Sequence, residues 1–383
     1  MPEPSVLILG CGVGGVVAAR EARRLLPASH RVTIIDKDAE ASLPSSYPWV
    51  LTGERRPDAI KRRRAHLASK GIEFAQAEVR QIDLANRYVK ADSREFRYDY
   101  LVLALGAELN LESRPGVAEA SHGFYTLESA ERLAATLRYF AGGRIVIAIA
   151  GLPYKGPTAP YEAAMLIEHS FHARRIRQNV ELAIYTPETL PLEAMGRENG
   201  EAVAGLLAHK GIEFHPQMQI VSADPARREV RFADGSGTPF QVLITIPEHR
   251  APVVVRETGL VDESGWIPVS PRNLETSHEN VFAIGDLTQL RTASGLPLPK
   301  LGFLAERQAE AVAGAIAYKI KGGRLPAPFQ ASGRSFLEVG ASAGAMLEGD
   351  LLSRDGAIAM KQPSIAWHLA KAVLERYWLL RTY

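Results

Sequence analysis

The segment Ser5-Val-Leu-Ile-Leu-Gly-Cys-Gly-Val-Gly-Gly-Val16 contains the pattern that decides the fold. Its first half is a short continuous apolar run, which is typical of a parallel strand buried on both faces. Gly10, Gly12 and Gly15 then form the motif Gly-x-Gly-x-x-Gly. In such a loop the first glycine permits a tight turn, the second lets the backbone approach a pyrophosphate, and the third lets helix and strand pack closely. The segment therefore predicts a strand–loop–helix unit that binds a dinucleotide.

The residues after the glycine loop complete this unit. A helical stretch runs from Val16 to Leu26, and a second apolar strand over residues 31–36 ends in Asp36. The helix would direct its free N–H groups and its dipole at the phosphates. Asp36 follows Gly10 by 26 residues, a position from which a carboxylate can accept hydrogen bonds from a ribose. The order of elements indicates a nucleotide site, although it fits both FAD and NAD.

Two later segments favour FAD. One is Tyr98-Asp-Tyr-Leu-Val-Leu-Ala-Leu-Gly106, a strand that closes on a small turn. The other is Asn280-Val-Phe-Ala-Ile-Gly285-Asp286, a strand that ends in Gly-Asp. FAD is an extended cofactor that needs contacts beyond its adenosine end, and an aspartate after a strand can accept hydrogen bonds from the ribityl hydroxyls.

In this order the three segments resemble the FAD-binding signatures of the two-dinucleotide-binding-domain flavoproteins, the pyridine nucleotide-disulfide oxidoreductase superfamily. The resemblance covers nearly the whole chain. It implies an α/β fold with two nested Rossmann-like dinucleotide-binding domains and a C-terminal region that ends in an amphipathic helix. The cofactor-binding residues that it implies are Gly10, Gly12, Gly14, Gly15, Asp36, Lys37, Val79, Gly106, Gly285, Asp286, Lys300 and Gly302.

The same resemblance predicts three regions. The FAD-binding domain takes residues 1–116 and 248–321, and a second Rossmann-like domain with a degenerate NAD site takes residues 117–247. The C-terminal region takes residues 322–383 and includes a helix with a possible membrane-interfacial face.

The second domain lacks the features of a working nucleotide loop. Its first strand leads into Gly151-Leu-Pro-Tyr-Lys-Gly-Pro-Thr-Ala-Pro-Tyr-Glu162. Three prolines in this loop remove backbone donors that a pyrophosphate would need. The next strand, over residues 180–186, ends in Tyr-Thr-Pro and not in an acid. The sequence therefore argues against NAD(P)H as a physiological ligand.

Three segments resemble sulfide:quinone reductases and the flavoprotein subunit of flavocytochrome c sulfide dehydrogenase. They are the loop at 153–162, the segment Leu43–Gly53, and the run that begins at Pro299-Lys300. In that group a redox cysteine lies in the first loop, where this chain has Gly156, and its partner comes from the region around 334–340, which has none. Cys11 is the single cysteine, so no cysteine pair can relay electrons. A cysteine that tethers FAD in some relatives is also absent, so the resemblance implies non-covalent FAD.

Lys300, Glu162 and Tyr161 are the candidate catalytic residues. Lys300 precedes a helix predicted over residues 301–319, and in the family arrangement the start of this helix faces the flavin. A cation and a helix dipole there would stabilise negative charge on the reduced cofactor; a solvated lysine is the alternative. Glu162 and Tyr161 could line the substrate side of the flavin, although Glu162 could equally serve the first turn of its helix.

Composition and charge narrow the partners. Lys and Arg number 45 against 43 Asp and Glu, a net charge of +2 that does not call for nucleic acid. No secretory signal and no apolar run of about 18 residues is present, so we expect a cytoplasmic protein. The histidines show no spacing typical of a metal site. The basic run 61–64 is interpreted as a solvated helix face, and contact with anionic lipid or a polyanion is the alternative.

The C-terminal helix has an aromatic side. Trp367, Ala370, Leu374, Tyr377 and Trp378 form one apolar face, while His368, Lys371, Glu375, Arg376 and Arg381 fall largely elsewhere. Such a helix can lie in a membrane surface, so the protein could be peripheral on the inner face of the cell membrane. The alternative is that the face packs on the protein's own core or on a second copy.

The first hypothesis for function is an FAD-dependent oxidoreductase similar to sulfide:quinone reductase. It would pass electrons from a small donor through non-covalent FAD to a quinone, without a cysteine relay. A type II NAD(P)H:quinone dehydrogenase is the second hypothesis. The third is a non-catalytic flavoprotein subunit that works with a redox partner protein.

Overall fold

A computed structural model describes residues 3–353 and 358–382. Residues 1, 2, 354–357 and 383 lie outside this part, and with them the start of the predicted FAD domain and the last residue of the predicted C-terminal helix. The helices are α1 (Val13–Leu25), α2 (Tyr47–Thr52), α3 (Val117–Ala120), α4 (Leu127–Tyr139), α5 (Ala159–Ala173), α6 (Arg197–His209), α7 (Val253–Arg256), α8 (Gly302–Lys321) and α9 (Ile365–Thr382).

The strands follow one another along the chain in groups separated by these helices. They are β1 (Val6–Leu9), β2 (Val32–Asp36), β3 (Glu40–Ser42), β4 (Lys61–Arg63), β5 (Glu73–Gln76), β6 (Val79–Asp83), β7 (Tyr88–Ala91), β8 (Arg94–Arg97), β9 (Tyr100–Leu103), β10 (Glu108–Asn110), β11 (Ser121–His122), β12 (Gly143–Ile149), β13 (Val180–Tyr185), β14 (Glu213–His215), β15 (Ile220–Asp224), β16 (Glu229–Phe232), β17 (Gly237–Pro239), β18 (Val242–Ile246), β19 (Glu248–Arg250), β20 (Ile267–Pro268), β21 (Val281–Ala283), β22 (Thr288–Gln289), β23 (Ser332–Gly340), β24 (Ala343–Asp350) and β25 (Ala359–Ser364).

The first sheet is parallel, with the strand order β21-β9-β1-β2-β5. Its central strand β1 is buried on both faces, because alternate residues enter two different cores. Val6 and Ile8 pack in the core that contains α1 and α8, while Leu7 and Leu9 pack in the core that contains the antiparallel sheet β6-β7-β8. This double burial explains the continuous apolar run in the sequence.

The second sheet repeats the same design between two strands of the first. Its order is β11-β18-β12-β13-β14, and its strands are also parallel. One face packs on α5, and the other packs on the antiparallel sheet β15-β16-β17. Since β9 and β21 are neighbours in the first sheet and the second sheet comes between them in sequence, the two Rossmann-like units are nested. The predicted α/β fold is confirmed; the predicted domain limits stay a prediction.

The C-terminal region forms an antiparallel sheet, β23-β24-β25, followed by α9. The predicted amphipathic helix is present, but its faces differ from the expected ones. Lys371 and Glu375, which we expected on the outside, are buried. The exposed side instead carries Ile365, Leu369, Val373, Tyr377 and Leu380. Within residues 3–353 and 358–382, no helix is both long and apolar enough to cross a membrane.

Candidate functional site

A large cavity lies between the two Rossmann-like units and is closed on one side by α9. Its volume is about 1580 Å³, which exceeds the 300–1,000 Å³ typical of pockets for one drug-sized ligand. Of the twelve predicted cofactor-binding residues, all except Gly15 line this cavity: Gly10, Gly12, Gly14, Asp36, Lys37, Val79, Gly106, Gly285, Asp286, Lys300 and Gly302. Gly15 lies behind the wall, where it contacts the strand.

The glycine loop has the shape that a pyrophosphate requires. A Cβ atom on Gly15 would lie 1.8 Å from the Gly10 carbonyl oxygen, so only glycine permits this approach of α1 to β1. A Cβ atom on Gly10, whose φ is +95°, would lie 2.4 Å from the Ala104 carbonyl oxygen. A Cβ atom on Gly12 would meet nothing within 4 Å, and no side chain caps the start of α1. The loop therefore leaves open space and uncapped N–H groups where phosphates bind, and it fits FAD.

Asp36 lines the cavity, and its carboxylate is held there by the protein itself. Its Oδ2 accepts a hydrogen bond of 2.7 Å from the backbone N–H of Cys11, and its Oδ1 accepts one of 2.6 Å from Arg64. The side chain of Arg64 is buried, so the interpretation of residues 61–64 as a solvated helix face is wrong. Residues 61–63 form β4, and Arg64 then turns inward because its charge is paired with Asp36. Sequence reasoning missed Arg64, since nothing local links it to β2.

Lys300 lies just before α8, as expected, but its ammonium has partners inside the protein. It donates a hydrogen bond to the Asp286 carbonyl oxygen, and its Nζ lies 3.3 Å from the centroid of the Trp266 ring. Burial lowers the pKa of Lys300 to about 8. The lysine lines the cavity near Gly285 and Asp286, and its action on the cofactor stays a prediction.

Glu162 faces the cavity and forms an ion pair with Lys371 from α9. Its side chain is only 4% exposed. Burial raises the pKa of Glu162 to about 7, although the Lys371 ammonium opposes that rise. A carboxyl group that titrates near neutral pH can hold or release a proton. Sequence reasoning named Glu162 but missed Lys371, whose partner lies more than two hundred residues away.

Trp49 has two cations close to its ring, beside this ion pair. The Lys371 Nζ is 4.4 Å from its ring centroid, and the Arg55 guanidinium carbon is 4.3 Å from it. Arg55 in turn contacts Glu375 at 2.8 Å, and Ser46 donates a hydrogen bond of 2.5 Å to the same carboxylate. These contacts explain why α9 buries charged residues: Lys371 finds its partners on α5 and α2, and Glu375 finds its partners in Ser46 and Arg55, which flank α2.

Tyr161 does not reach the cavity. Its side chain is completely buried, and its hydroxyl donates a hydrogen bond to Glu188. Tyr154 and Thr186 donate hydrogen bonds to the same carboxylate oxygen, at 3.2 and 3.1 Å. This contact holds Tyr161 outside the cavity, and its predicted catalytic role stays a prediction.

Glu188 is the acid that follows β13, the strand equivalent to β2 of the first unit. Instead of facing a ribose, it accepts hydrogen bonds from Tyr154, in the loop before α5, and from Tyr161, in the first turn of α5. Burial raises the pKa of Glu188. The second unit thus keeps an acid near the expected place but uses it inside the protein.

The two parallel sheets, the open glycine loop and the shared cavity define a flavoprotein with two dinucleotide-binding folds. A family model described as pyridine nucleotide-disulphide oxidoreductase matches residues 4–310, and the chain belongs to this family. It is an FAD-dependent oxidoreductase, as expected from the sequence.

Similar proteins place the chain more narrowly. It is 25% identical over 398 residues to the sulfide-quinone reductase of Aquifex aeolicus, covering 98% of this chain and 90% of that protein. It is 24% identical to the mitochondrial sulfide:quinone oxidoreductase of Mus musculus, covering 75% of this chain and 66% of that one. A demethylphylloquinone reductase of Synechocystis is 26% identical, covering 94% and 90%.

The solved structure of the Aquifex aeolicus sulfide:quinone oxidoreductase has the same fold. Its TM-score is 0.90 at 24% identity, over 99% of this chain and 91% of that chain. The expected sulfide:quinone reductase-like branch of the superfamily is therefore confirmed.

Proposed function

We propose that the protein passes electrons from a small donor to a quinone, in the manner of a sulfide:quinone reductase but without a cysteine relay. The observation that carries this proposal is a single cavity whose wall includes both the glycine loop and the inner face of α9. FAD, when bound, supplies a two-electron acceptor and donor. Two relatives, whose names give sulfide and a quinone as substrates, support the assignment.

The part of the cavity wall next to α9 suits a quinone. Apolar and aromatic side chains line it, namely Leu374, Trp378, Phe303 and Phe336. Reduction of a quinone to a quinol takes up two protons. Glu162 and Lys371 lie at this wall, and we assign them to holding and supplying protons. Lys300 is assigned to stabilising negative charge during electron transfer.

The outer face of α9 supports a peripheral position on the membrane, from which a lipid-dissolved quinone can enter. Ile365, Val373 and Leu380 are 63%, 65% and 74% exposed. Arg376 and Arg381 are also exposed and flank this apolar face. Exposed apolar side chains flanked by basic residues are typical of helices that lie in a membrane surface. We place the protein on the inner face of the cell membrane.

Anaerobic reduction of the FAD-loaded protein tests the function. We expect sulfide or another small donor to bleach the flavin absorbance, and a short-chain quinone to restore it. Bleaching by NADH or NADPH at a comparable rate would support a type II dehydrogenase instead. If the chemically reduced protein fails to reduce the quinone, the proposal is wrong. The result would then favour the hypothesis of a flavoprotein subunit that works with a redox partner protein.

Sedimentation with vesicles of anionic lipid tests the membrane position. The variant Leu380→Asp should bind such vesicles at least tenfold more weakly than the parent chain, because it places a charge in the apolar face. Tyr139→Asp, which changes an exposed side chain on α4, is the matched control and should bind as the parent does. Equal binding by all three proteins would show that the exposed face of α9 does not contact the membrane.

A further inference from the structure

A buried group of titratable side chains adjoins the Glu162–Lys371 pair. It adds Glu338 from β23 and His368 from α9, and we call the four residues the Glu338 cluster. The His368 Nδ1 lies 2.8 Å from the Glu338 Oε2, and the two side chains are 16% and 1% exposed. Neither of them is among the described residues that line the cavity. The mechanism proposed above uses Glu162 and Lys371 and gives no role to this second pair.

Helix α9 presents His368 and Lys371 on one side, because the two residues are three positions apart. Both contact the ring of Trp49. The His368 ring lies edge-on to it with 6.0 Å between the ring centroids, and the Lys371 Nζ lies 4.4 Å from its centroid. The two side chains pair with different acids, His368 with Glu338 and Lys371 with Glu162. One side of α9 is therefore paired with an acid at the cavity wall and with a second acid away from it.

Glu338 also acts on Glu162 directly. Burial is the main cause of the raised pKa of Glu162; the Glu338 carboxylate adds to the rise, and the Glu338 backbone N–H opposes it. Two carboxyl groups that interact in a buried site do not both ionise readily. The two acids are therefore coupled, so that a change in the protonation of one alters the other.

The charges of the cluster do not balance without an additional proton. With His368 neutral, the cluster would bury two carboxylates against a single ammonium, and burying a charge without a partner is costly. Further titratable groups that face these elements are Arg55 and Glu375, which pair with each other at 2.8 Å, and His169, which packs against β23. One more proton, on the His368 ring or on a carboxyl group, balances the charge. The cluster therefore holds one exchangeable proton.

The two ends of the cluster differ in their surroundings. The His368 side chain is 16% exposed, so its ring can exchange a proton with water, whereas Glu162 is 4% exposed and faces the cavity. The Glu338 Oε2 accepts a hydrogen bond from His368, and the Glu338 Oε1 is buried without a hydrogen-bond partner among the described residues. A carboxyl group can accept a proton on one oxygen and donate one from the other. Glu338 can therefore pass a proton onward.

We propose that His368 and Glu338 carry protons from solvent to Glu162 and so replace the proton that Glu162 gives to the quinone. When Glu162 protonates a quinone oxygen, it becomes a carboxylate. The His368 imidazolium then gives its Nδ1 proton to Glu338, and Glu338 gives a proton to Glu162 and returns to its ionised form. The neutral ring takes a proton from water, so one proton enters for each one delivered, and no electron moves in these steps.

This inference rests on the proposed function, in which Glu162 protonates the quinone. His368 and Glu338 act through Glu162 and do not line the cavity. They are therefore positioning residues that hold and pass a proton, and Glu162 remains the group that contacts the substrate.

Stopped-flow reoxidation of the chemically reduced, FAD-loaded protein by a short-chain quinone tests the relay. At pH 8, where Glu162 is mostly ionised, His368→Gln should react about tenfold more slowly than the parent chain, because glutamine keeps a donor to Glu338 but carries no proton. At pH 6 the difference should be much smaller, because Glu162 is already protonated. His172→Gln is the matched control, since His172 is exposed and pairs with Glu168 at 3.4 Å; it should react as the parent does.

Chemical rescue separates proton transfer from packing. His368→Ala should be slow at pH 8 in the same way, and added imidazole should restore most of its rate, because imidazole carries the proton that the variant cannot. Imidazole should not accelerate the parent chain or His172→Ala. Retention of FAD by each variant shows that it is folded.

Infrared difference spectra of the oxidised protein between pH 6 and pH 8 test the coupling without turnover. The carboxyl signal that is absent in Glu162→Gln belongs to Glu162. Glu338→Gln should move the midpoint of this signal to lower pH, because it removes a negative charge that raises the pKa of Glu162.

The inference is overturned if His368→Gln reacts as fast as the parent chain at pH 8, or if His172→Gln slows as much. It is also overturned if imidazole does not restore His368→Ala, or if the Glu162 midpoint is the same in Glu338→Gln. If the reduced parent chain does not reduce the quinone at all, the proposed function fails and the relay fails with it. Quinone reduction by the parent chain at the rate of His368→Gln would remove only the relay.

Discussion

The two Rossmann-like units have the same layers, but the loops that follow their central strands differ. Each has a five-stranded parallel sheet with an antiparallel three-stranded sheet on one face. In the first unit the loop after the central strand is glycine-rich and open, whereas in the second it is filled by Tyr154 and three prolines. The comparison teaches that buried apolar side chains maintain the sheet, while a handful of loop residues decides whether it binds a nucleotide.

The acids that follow the second strand of each unit show the same contrast. Asp36 lines the cavity, where its carboxylate can serve a ligand. Glu188 accepts hydrogen bonds from three hydroxyl groups, and two of them fasten the loop before α5 and the start of α5 to the end of β13. Two acids that follow corresponding strands therefore have different surroundings, one at the cavity wall and one inside the protein.

The largest expected effect comes from closing the open loop. Gly15→Ala should abolish FAD binding and lower the free energy of unfolding by about 3 kcal/mol or more, because the added Cβ overlaps the Gly10 carbonyl and forces α1 from β1. Gly156→Ala, in the filled loop, should keep FAD. Its φ of +64° costs an alanine about 1 kcal/mol. Cofactor content and urea unfolding measure both.

If Gly156→Ala released FAD as completely as Gly15→Ala, the two loops would contribute equally to the cofactor. The contrast between the two units would then be wrong.

The second expected effect separates the two acids. Glu188→Ala should lower the free energy of unfolding by about 2–4 kcal/mol, since it leaves buried hydroxyls without an acceptor, and it should keep FAD affinity within twofold. Asp36→Asn should weaken FAD binding about tenfold, because a charged acceptor becomes neutral, with a loss of stability of about 1 kcal/mol. Titration of the apoprotein with FAD and urea unfolding give both quantities.

A larger loss of stability in Asp36→Asn than in Glu188→Ala would reverse the assignment of the two acids. It would mean that the Asp36–Arg64 pair supports the fold more than the cofactor.

The smallest expected effect concerns Glu162, the buried acid of the second unit that faces the cavity. Glu162 faces the cavity and has a raised pKa of about 7, so it is protonated below that pH and gives up its proton above it. Quinone reduction by the parent protein should therefore slow severalfold as the pH rises through 7. Glu162→Gln cannot ionise, so its rate should be lower and should lack this step.

Stopped-flow reoxidation of the reduced flavin by quinone, between pH 5.5 and 8.5, measures this profile. Glu95→Gln, at an exposed position on β8, is the control and should keep the step. An unchanged profile in Glu162→Gln would show that another group supplies the proton.

Sequence alone predicted the glycine loop and eleven of the residues that line the cavity, because those constraints are local. The tight turn at Gly10 and the close approach at Gly15 each require a glycine, and the residues that impose this requirement belong to one short strand–loop–helix segment. The inner face of α9 could not be predicted in this way. Helical spacing separates apolar from charged residues, but it does not tell which side is buried when the charges find partners elsewhere in the chain.

For Arg64 and Tyr161 the position in the structure differs from the one that the sequence predicts. Arg64 read as a surface cation and is buried by its contact with Asp36, while Tyr161 read as a cavity residue and is held in the core by Glu188. In both cases the decisive partner lies on another element, so no pattern within the local sequence could reveal it.

The nesting of the two units has a kinetic consequence. Strand β21 pairs with β9 only after the chain between Leu103 and Val281 has returned to the same edge of the sheet. The entropy of closing such a loop grows slowly with its length, but contacts between distant residues form late. The second unit, continuous in sequence, can collapse first and bring these ends together. We therefore expect it to act as the folding template for the unit that binds the cofactor.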